Sequence, residues 1–179
     1  MFPNNEEIKP KILIDADVII HFVDGGKLNE IPAIFPNRIV FVDKVLEELY
    51  SFPQYKVQVY NFISANNFDR IDLDSNLNFI LEYAKLQKFV GKGEAACMAI
   101  AKIDKKHIAS SNLKDIKEYC DKNGIKIITT MDFLWEAMNC KVLTEGECDK
   151  FIQAVKKEGN KLPVDSIAEY VKSYVMVKK

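Results

Sequence analysis

Residue types that bind zinc or form disulfides are scarce in this sequence. The 179 residues include four cysteines and two histidines, and no two cysteines form a Cys-x-x-Cys pair. Neither His21 nor His107 lies within a few residues of a cysteine. This spacing argues against a zinc site and favours four reduced, mostly buried thiols in a cytoplasmic protein. With 48% hydrophobic residues, the chain can bury one sizeable core without disulfides.

Long apolar runs are also missing. No run approaches the ~18 apolar residues that a membrane-spanning helix needs. Residues 1–7 lack the basic start and the apolar core of a signal peptide. We therefore expect no membrane partner.

Basic charge is not in excess, and arginine is nearly absent. The formal net charge is −1, so the overall field does not attract nucleic acid. Arginine occurs only at Arg38 and Arg70, and several lysines lie near Glu94 in the sequence, namely Lys85, Lys88, Lys92, Lys102, Lys105 and Lys106. These lysines fit contacts to phosphate oxygens, and they fit a solvated helix face equally well.

Short apolar segments alternate with helical patterns along most of the chain. The segments that predict strands are residues 11–14, 37–42, 68–73, 107–111 and 125–129. This alternation predicts an α/β fold, a three-layer α/β/α sandwich with a mainly parallel central sheet. After Cys140 the pattern changes to two helices only. We therefore expect a main domain over residues 1–141 and a C-terminal helical extension over residues 142–179.

The first predicted strand runs directly into two acids. Ile12-Leu13-Ile14 is followed by Asp15-Ala16-Asp17, and apolar residues then resume. The carboxyl ends of parallel strands are where ligands and metals gather in open α/β sheets. Either acid can instead cap the following helix. We expect Asp15 to belong to a functional site and Asp17 to act as a cap.

Two glutamates occupy helix positions that face the same edge of the predicted sheet. Glu48 borders the apolar stripe of the helix that contains Val45 and Leu49, although an ordinary exposed Glu47–Glu48 pair is an alternative. Glu94 follows Gly91-Lys92-Gly93 and opens a helix of small residues. An acid is also favoured there by the helix dipole alone, which would leave the two glycines and the small residues unexplained.

The fourth predicted strand also ends in polar residues. Ile108-Ala109 runs into Ser110-Ser111-Asn112, and Asp115 follows three residues later. Asn112 and Asp115 can simply be an N-cap and a first-turn acid. Their position at a strand end nevertheless places them with the other acids.

Together, Asp15, Glu48, Glu94 and Asp115 all fall at strand ends or first helical turns. Four carboxylates brought together repel one another unless a divalent cation neutralises them. Oxygen ligands without His or Cys favour Mg²⁺ or Mn²⁺. We therefore expect one metal site, able to activate water against a phosphodiester, at the carboxyl ends of the strands.

In these motifs the chain resembles the PIN (PilT N-terminus) domain family of metal-dependent ribonucleases. The similar segments are residues 12–19, 45–49, 91–101, 108–115 and 124–134. The resemblance implies a PIN-like fold, RNA as substrate, and Asp15, Glu48 and Glu94 as metal ligands. Many members are toxins of toxin–antitoxin pairs. An antitoxin protein and a homodimer are therefore further partners that the sequence leaves open.

The chain departs from the family at one site position. The family usually has Asp in a Thr-x-Asp-like step after the fourth strand, where this chain has Ser110-Ser111-Asn112. Asn112 can coordinate through its amide oxygen but adds no charge, and Asp115 can supply the carboxylate instead. The expected catalytic set is Asp15, Glu48, Glu94, Asn112 and Asp115, with Asn112 and Asp115 orienting the attacking water or a second ion.

Two other functions are compatible with parts of the pattern. One is a PIN-fold module that binds RNA or protein without cutting, which the Asn112 departure favours. The other is a haloacid dehalogenase-like phosphatase, whose first strand also ends in Asp-x-Asp and whose first Asp is a nucleophile. Against the phosphatase, Val18 replaces the usual Thr, and no Gly-Asp-x-x-x-Asp-like step follows a later strand.

Overall fold

The computed structural model describes residues 9–177. Its strands are β1 (Ile12–Ile14), β2 (Ile39–Val42), β3 (Asp69–Ile71), β4 (His107–Ala109) and β5 (Ile127–Ile128). Its helices are α1 (Ala16–Asp24), α2 (Ile31–Ile34), α3 (Asp43–Ser51), α4 (Pro53–Ala65), α5 (Leu77–Leu86), α6 (Lys92–Asp104), α7 (Leu113–Asn123), α8 (Thr130–Asn139), α9 (Glu145–Lys157) and α10 (Ile167–Val177). Short 3₁₀ segments precede α2 and α5.

The five strands form one sheet in the order β3-β2-β1-β4-β5, and every pairing is parallel. β1 lies at the centre, where Ile12 pairs with Ile39 of β2 and with His107 of β4. All three β1 residues are buried, as expected for a strand with a neighbour on each side and helices on both faces. The fold class is therefore α/β with an all-parallel sheet, consistent with the predicted three-layer α/β/α arrangement.

The helix of small residues, α6, is the most deeply buried helix near the sheet. It contacts β1, β2 and β4, and also packs against α3, α5 and α7. Its residues from Ala95 to Ala101 are at most 2% exposed. Small side chains allow this close approach on all sides of the helix. The approach also brings the first turn of α6 to the carboxyl ends of β1 and β2.

The C-terminal helices pack on the same core as the sheet. The ring of Phe151 in α9 lies 5.0 Å from that of Phe22 in α1, and Tyr170 of α10 donates a hydrogen bond to Asp132 of α8. A Cβ at Gly25 would lie 2.1 Å from the Phe151 ring, so this contact requires glycine. Residues 1–8 of the predicted main domain and residues 178–179 of the predicted C-terminal extension lie outside the described residues.

None of the helices within residues 9–177 has the length and apolar character needed to cross a membrane.

Candidate functional site

Asp15 is fixed at the carboxyl end of the central strand. Its backbone N–H donates to Ala109 of β4 at 2.9 Å, and its side chain is nearly buried, with the residue 3% exposed. Asp15 Oδ1 accepts a hydrogen bond from Ala16 N at 2.8 Å, which makes Asp15 the N-cap of α1. The prediction that Asp17 acts as the cap is therefore wrong. Asp15 has the extended backbone of a cap residue, whereas Asp17 lies within the first turn of the helix.

Asp17 reaches across to the turn that follows β4. Its Oδ2 accepts hydrogen bonds from Ser111 N at 2.7 Å and, more weakly, from Ser110 Oγ at 3.4 Å. Its Oδ1 is buried and has no hydrogen-bond partner among the described residues. An unpartnered buried carboxylate oxygen is unusual in a protein interior, because it has lost its hydration without compensation.

Glu48 and Asp15 lie on either side of Gly93 in the first turn of α6. A Cβ added at Gly93 would lie 2.7 Å from Glu48 Oε2 and 3.3 Å from Asp15 Oδ1. The two oxygens are therefore no farther apart than these two distances combined. Gly93 thus leaves open a space between two carboxylates that any other residue would fill.

Asn112 joins Glu94 to Asp115. Its Nδ2 donates to Glu94 Oε1 at 2.8 Å and to Asp115 Oδ2 at 2.7 Å. Asn112 occupies the N-cap position of α7, but its side chain makes no capping hydrogen bond. The alternative that Asn112 is only a cap is therefore wrong, because its amide is used by the two carboxylates. Asp115 itself is exposed.

The structure thus brings the five predicted site residues to one edge of the sheet. Asp15 interacts electrostatically with Glu48 and Glu94, and Glu94 interacts with Asp115. Asp115 lies at the outer margin of the group, where it is held through Asn112.

Burial and mutual repulsion disfavour the charged forms of these acids. The pKa of Asp15 is raised well above its ordinary value, first by burial and then by the charges of Asp17, Glu94 and Glu48. Burial also raises the pKa of Asp17, against the hydrogen bond from Ser111 N, and the pKa of Glu94, against the hydrogen bond from Asn112. The folded chain therefore carries an electrostatic penalty here at neutral pH, as is common at functional sites.

A chain of hydroxyl groups, buried at Thr130 and half-buried at Ser111, supports the turn after β4. Ser111 Oγ donates to Thr130 Oγ1 at 2.8 Å, and Thr130 N donates back to Ser111 Oγ at 3.0 Å. Thr130 Oγ1 also lies 2.8 Å from His21 Nδ1, within hydrogen-bond distance. Burial lowers the pKa of His21 to about 4, so the imidazole is neutral at pH 7. These contacts link α1, α8 and the turn that carries Asn112.

The donor set at this edge has the chemistry of a site for a hard divalent cation. All of its charged donors are oxygen atoms, which favour Mg²⁺ or Mn²⁺, and the unpartnered Asp17 Oδ1 and the space beside Gly93 fit such an ion. Over residues 9–177, however, no group of three or more His, Cys, Asp or Glu side chains has an arrangement that could hold a metal ion. The Asn112 Nδ2 donates to an oxygen of Glu94 and to an oxygen of Asp115. The donor chemistry therefore fits the cation, and binding requires side chains to move.

One of the lysines that are close to Glu94 in sequence lies away from the acids in space. Lys102 of α6 pairs with Glu82 of α5 at 2.8 Å. It lies eight residues beyond Glu94, or about 12 Å along the helix at ~1.5 Å per residue. Two exposed lysines, Lys92 and Lys114, do lie in the first turns of α6 and α7, beside Glu94 and Asn112.

No model of a known protein family matches this chain, and no curated protein matches it in sequence.

The main residue that sequence reasoning did not assign to the site is Asp17. The Asp-x-Asp step was a visible signal, but position 17 also suits a first-turn helix acid. The roles of Ser111, Thr130 and His21 have no comparable signal, because each depends on contacts between elements distant in sequence.

Proposed function

We propose that this protein is a Mg²⁺- or Mn²⁺-dependent endoribonuclease with a PIN-like fold. The observation that carries the proposal is the set of desolvated carboxylates of Asp15, Asp17 and Glu94 at the carboxyl ends of the strands. Carboxylates that repel one another in a water-poor site favour binding of a divalent cation. When bound there, such a cation supplies charge neutralisation and a more acidic water for attack on a phosphodiester.

In this proposal each residue has a role set by its position. Asp15, Glu48 and Glu94 hold the cation, and Asp15 is the most rigid of them because the strand and the cap fix it. Asn112 and Asp115 orient the attacking water from the outer margin of the group. For this the Asn112 amide must release Glu94 or turn so that its oxygen faces inward, since its Nδ2 now donates to both acids.

Two lysines near the acids in sequence support a substrate that carries phosphate groups. Lys92 and Lys114 are exposed in the first turns of neighbouring helices, two residues along the chain from Glu94 and Asn112, respectively. Lysine binds phosphate oxygens without reading bases. Single-stranded or structured RNA, with cleavage in the manner of a toxin of a toxin–antitoxin pair, is the substrate and role that we propose.

The experiment is cleavage of labelled RNA by the purified protein with Mg²⁺, with Mn²⁺ and with excess chelator. Asp15→Asn should reduce cleavage at least ~100-fold while the fold is kept, because Asn still accepts the hydrogen bond from Ala16 N. Asp121→Asn is the matched control, since the Asp121 carboxylate lies in an exposed pair with Lys117 on the surface of α7. Cleavage that persists in Asp15→Asn or in chelator would contradict the proposal.

One observation favours a second candidate, a module that binds RNA or protein without cutting. The Asn112 amide donates hydrogen bonds to one carboxylate oxygen of Glu94 and to one of Asp115. If this arrangement is permanent, the wild type should bind RNA with no cleavage and no saturable heat of Mn²⁺ binding. Release of phosphate from a small phosphomonoester, lost in Asp15→Asn and without RNA cleavage, would instead identify a phosphatase.

A further inference from the structure

The turn after β4 presents backbone donors to the site but no negative charge of its own. Its residues Ser110, Ser111 and Asn112 are all neutral. The Ser111 N–H points at Asp17 Oδ2 at 2.7 Å, and the Ser110 hydroxyl lies 3.4 Å from the same oxygen. A carboxylate from α1 therefore occupies the end of β4, where the strand itself contributes only neutral side chains.

The two oxygens of the Asp17 carboxylate differ in their hydrogen bonding. Oδ2 is fixed by the turn, while Oδ1 is buried without a partner among the described residues. If Asp17 served only to hold the turn, burial of the second oxygen would be a cost to the fold without compensation. The side chain also interacts electrostatically with Asp15 and Glu94, which shows that it belongs to the same group of acids.

We propose that Asp17 is a metal-ligating residue, supplying from α1 the carboxylate that the end of β4 lacks at Asn112. This inference rests on the proposed function and assigns to it a residue that the predicted site did not contain. The free Oδ1 is the ligand atom, and Ser111 N holds the other oxygen in place. His21 and Thr130 position Asp17 indirectly, because they fix Ser111.

The test is a charge exchange between positions 17 and 112, measured by calorimetric titration of Mn²⁺ into the full-length protein without RNA. Asp17→Asn should weaken Mn²⁺ binding at least about tenfold, because affinity falls with the number of charged ligands. Asn112→Asp should strengthen binding relative to the wild type. The double variant, Asp17→Asn with Asn112→Asp, should return to within about threefold of the wild type, since it restores the number of carboxylates.

Thermal unfolding in excess chelator separates ligation from support of the fold. Asn at position 17 still accepts from Ser111 N, and it removes one repulsive charge, so Asp17→Asn should melt at or above the wild-type temperature. A merely structural Asp17 would lower the melting temperature in chelator, and Asn112→Asp would not repair the loss. Comparing Asn112→Asp with the double variant gives a second measure of the same effect at position 17.

The outcomes distinguish this inference from the proposed function. If Asp15→Asn abolishes Mn²⁺ binding while Asp17→Asn binds as the wild type does, the role of Asp17 is refuted and the proposed metal site stands. If the double variant does not recover Mn²⁺ binding, the inference that Asp17 replaces the carboxylate missing at Asn112 is also refuted. If the wild type shows no Mn²⁺ binding, both the inference and the proposed function fail.

Discussion

The two ends of helix α6 hold carboxylates in opposite ways. In the last turn of α6, Lys102 donates a hydrogen bond to Glu82 of α5, and Glu82 also accepts hydrogen bonds from Lys85 and Tyr119. These hydrogen bonds, that of Lys102 foremost, lower the pKa of Glu82 to about 2. Near the N-terminus of α6, Asp15 accepts one hydrogen bond from Ala16 N and has acidic neighbours, and its pKa is raised.

The difference separates a carboxylate that stabilises the fold from carboxylates that the fold must tolerate. Glu82 joins α5, α6 and α7 by cations and a phenol, so removing its charge costs stability. Asp15 and its neighbours gain little from their charge in the folded state, so removing a charge there should help stability and harm activity. Acids of the second kind are the ones that mark functional sites.

Among changes at the two ends of α6, Gly93→Ala should have the largest effect, on Mn²⁺ binding and RNA cleavage. The new Cβ would fill the space between Glu48 and Asp15, and the flexible Glu48 side chain would have to move away. We expect Mn²⁺ binding to weaken at least about tenfold, with cleavage falling further, because ligand geometry is lost. The measurements are calorimetry and RNA cleavage.

Gly91→Ala is the matched control for this change. A Cβ at Gly91 would lie 3.6 Å from Glu94 Oε2, an ordinary contact, so binding and cleavage should stay near wild type. The free energy of unfolding of Gly93→Ala should differ from that of the wild type by no more than about 1 kcal/mol, because alanine favours a helix more than glycine does. Equal activity in the two variants would show that the space beside Gly93 has no function.

A smaller effect, on the free energy of unfolding, is expected from Glu82→Gln, which removes the charge of the carboxylate that accepts three hydrogen bonds. We expect a loss of about 1–2 kcal/mol in unfolding free energy at pH 7, because charge-assisted hydrogen bonds are replaced by weaker ones. The folded pKa is depressed, so this contribution is present above pH 4.5 and is lost as pH falls towards about 2. Urea unfolding at several pH values measures it.

Glu118→Gln is the control for that experiment. Glu118 pairs with Lys122 one turn away on the same helix, and both side chains are exposed. The variant should unfold like the wild type at every pH. A similar loss in both variants would mean that the three donors around Glu82 add nothing beyond a surface pair.

The smallest effect is expected in the melting temperature of Asp15→Asn and in how it changes with pH. Asp15→Asn should raise the melting temperature at pH 8 by about 2–4 °C, which corresponds to about 1 kcal/mol for a chain of this size. The folded pKa of Asp15 is raised, so the wild type regains stability as pH falls through that pKa. The advantage of the variant should therefore shrink towards pH 4, as scanning calorimetry of both proteins would show. A constant advantage would contradict the burial argument.

The sheet could be predicted from sequence because its strands are short apolar runs bounded by polar residues. A predicted strand was too long where the apolar pattern continues beyond the residues that form strand hydrogen bonds. Residues 125–129 predict a fifth strand, yet only Ile127–Ile128 is strand. Ile125 N instead donates to Cys120 O after α7, and Thr129 becomes the N-cap of α8. Both alternatives are hydrogen bonds that a pattern of hydrophobicity does not contain.

The candidate site was predictable to the extent that it depends on single elements. Asp15 and Glu94 follow from a strand end and a first helical turn, which the sequence shows directly. Asp17 was assigned as a cap because capping is a local rule, and the same rule offered a cap as the alternative for Asn112, but each side chain instead uses a partner on another element. The partner of Asp17 is 94 residues away, a distance that no local pattern reports.

The position of β1 has a consequence for synthesis of the chain. Ile12 pairs with His107, and at ~5–20 residues per second the ribosome takes about 5–20 s to make the residues between them. During this interval the apolar strand Ile12–Ile14 has one unpaired edge, and the helix that covers it is incomplete. The edge of β1 that faces β4 thus stays open until most of the chain has been made, and an apolar strand with an open edge favours protection of the nascent chain by a chaperone.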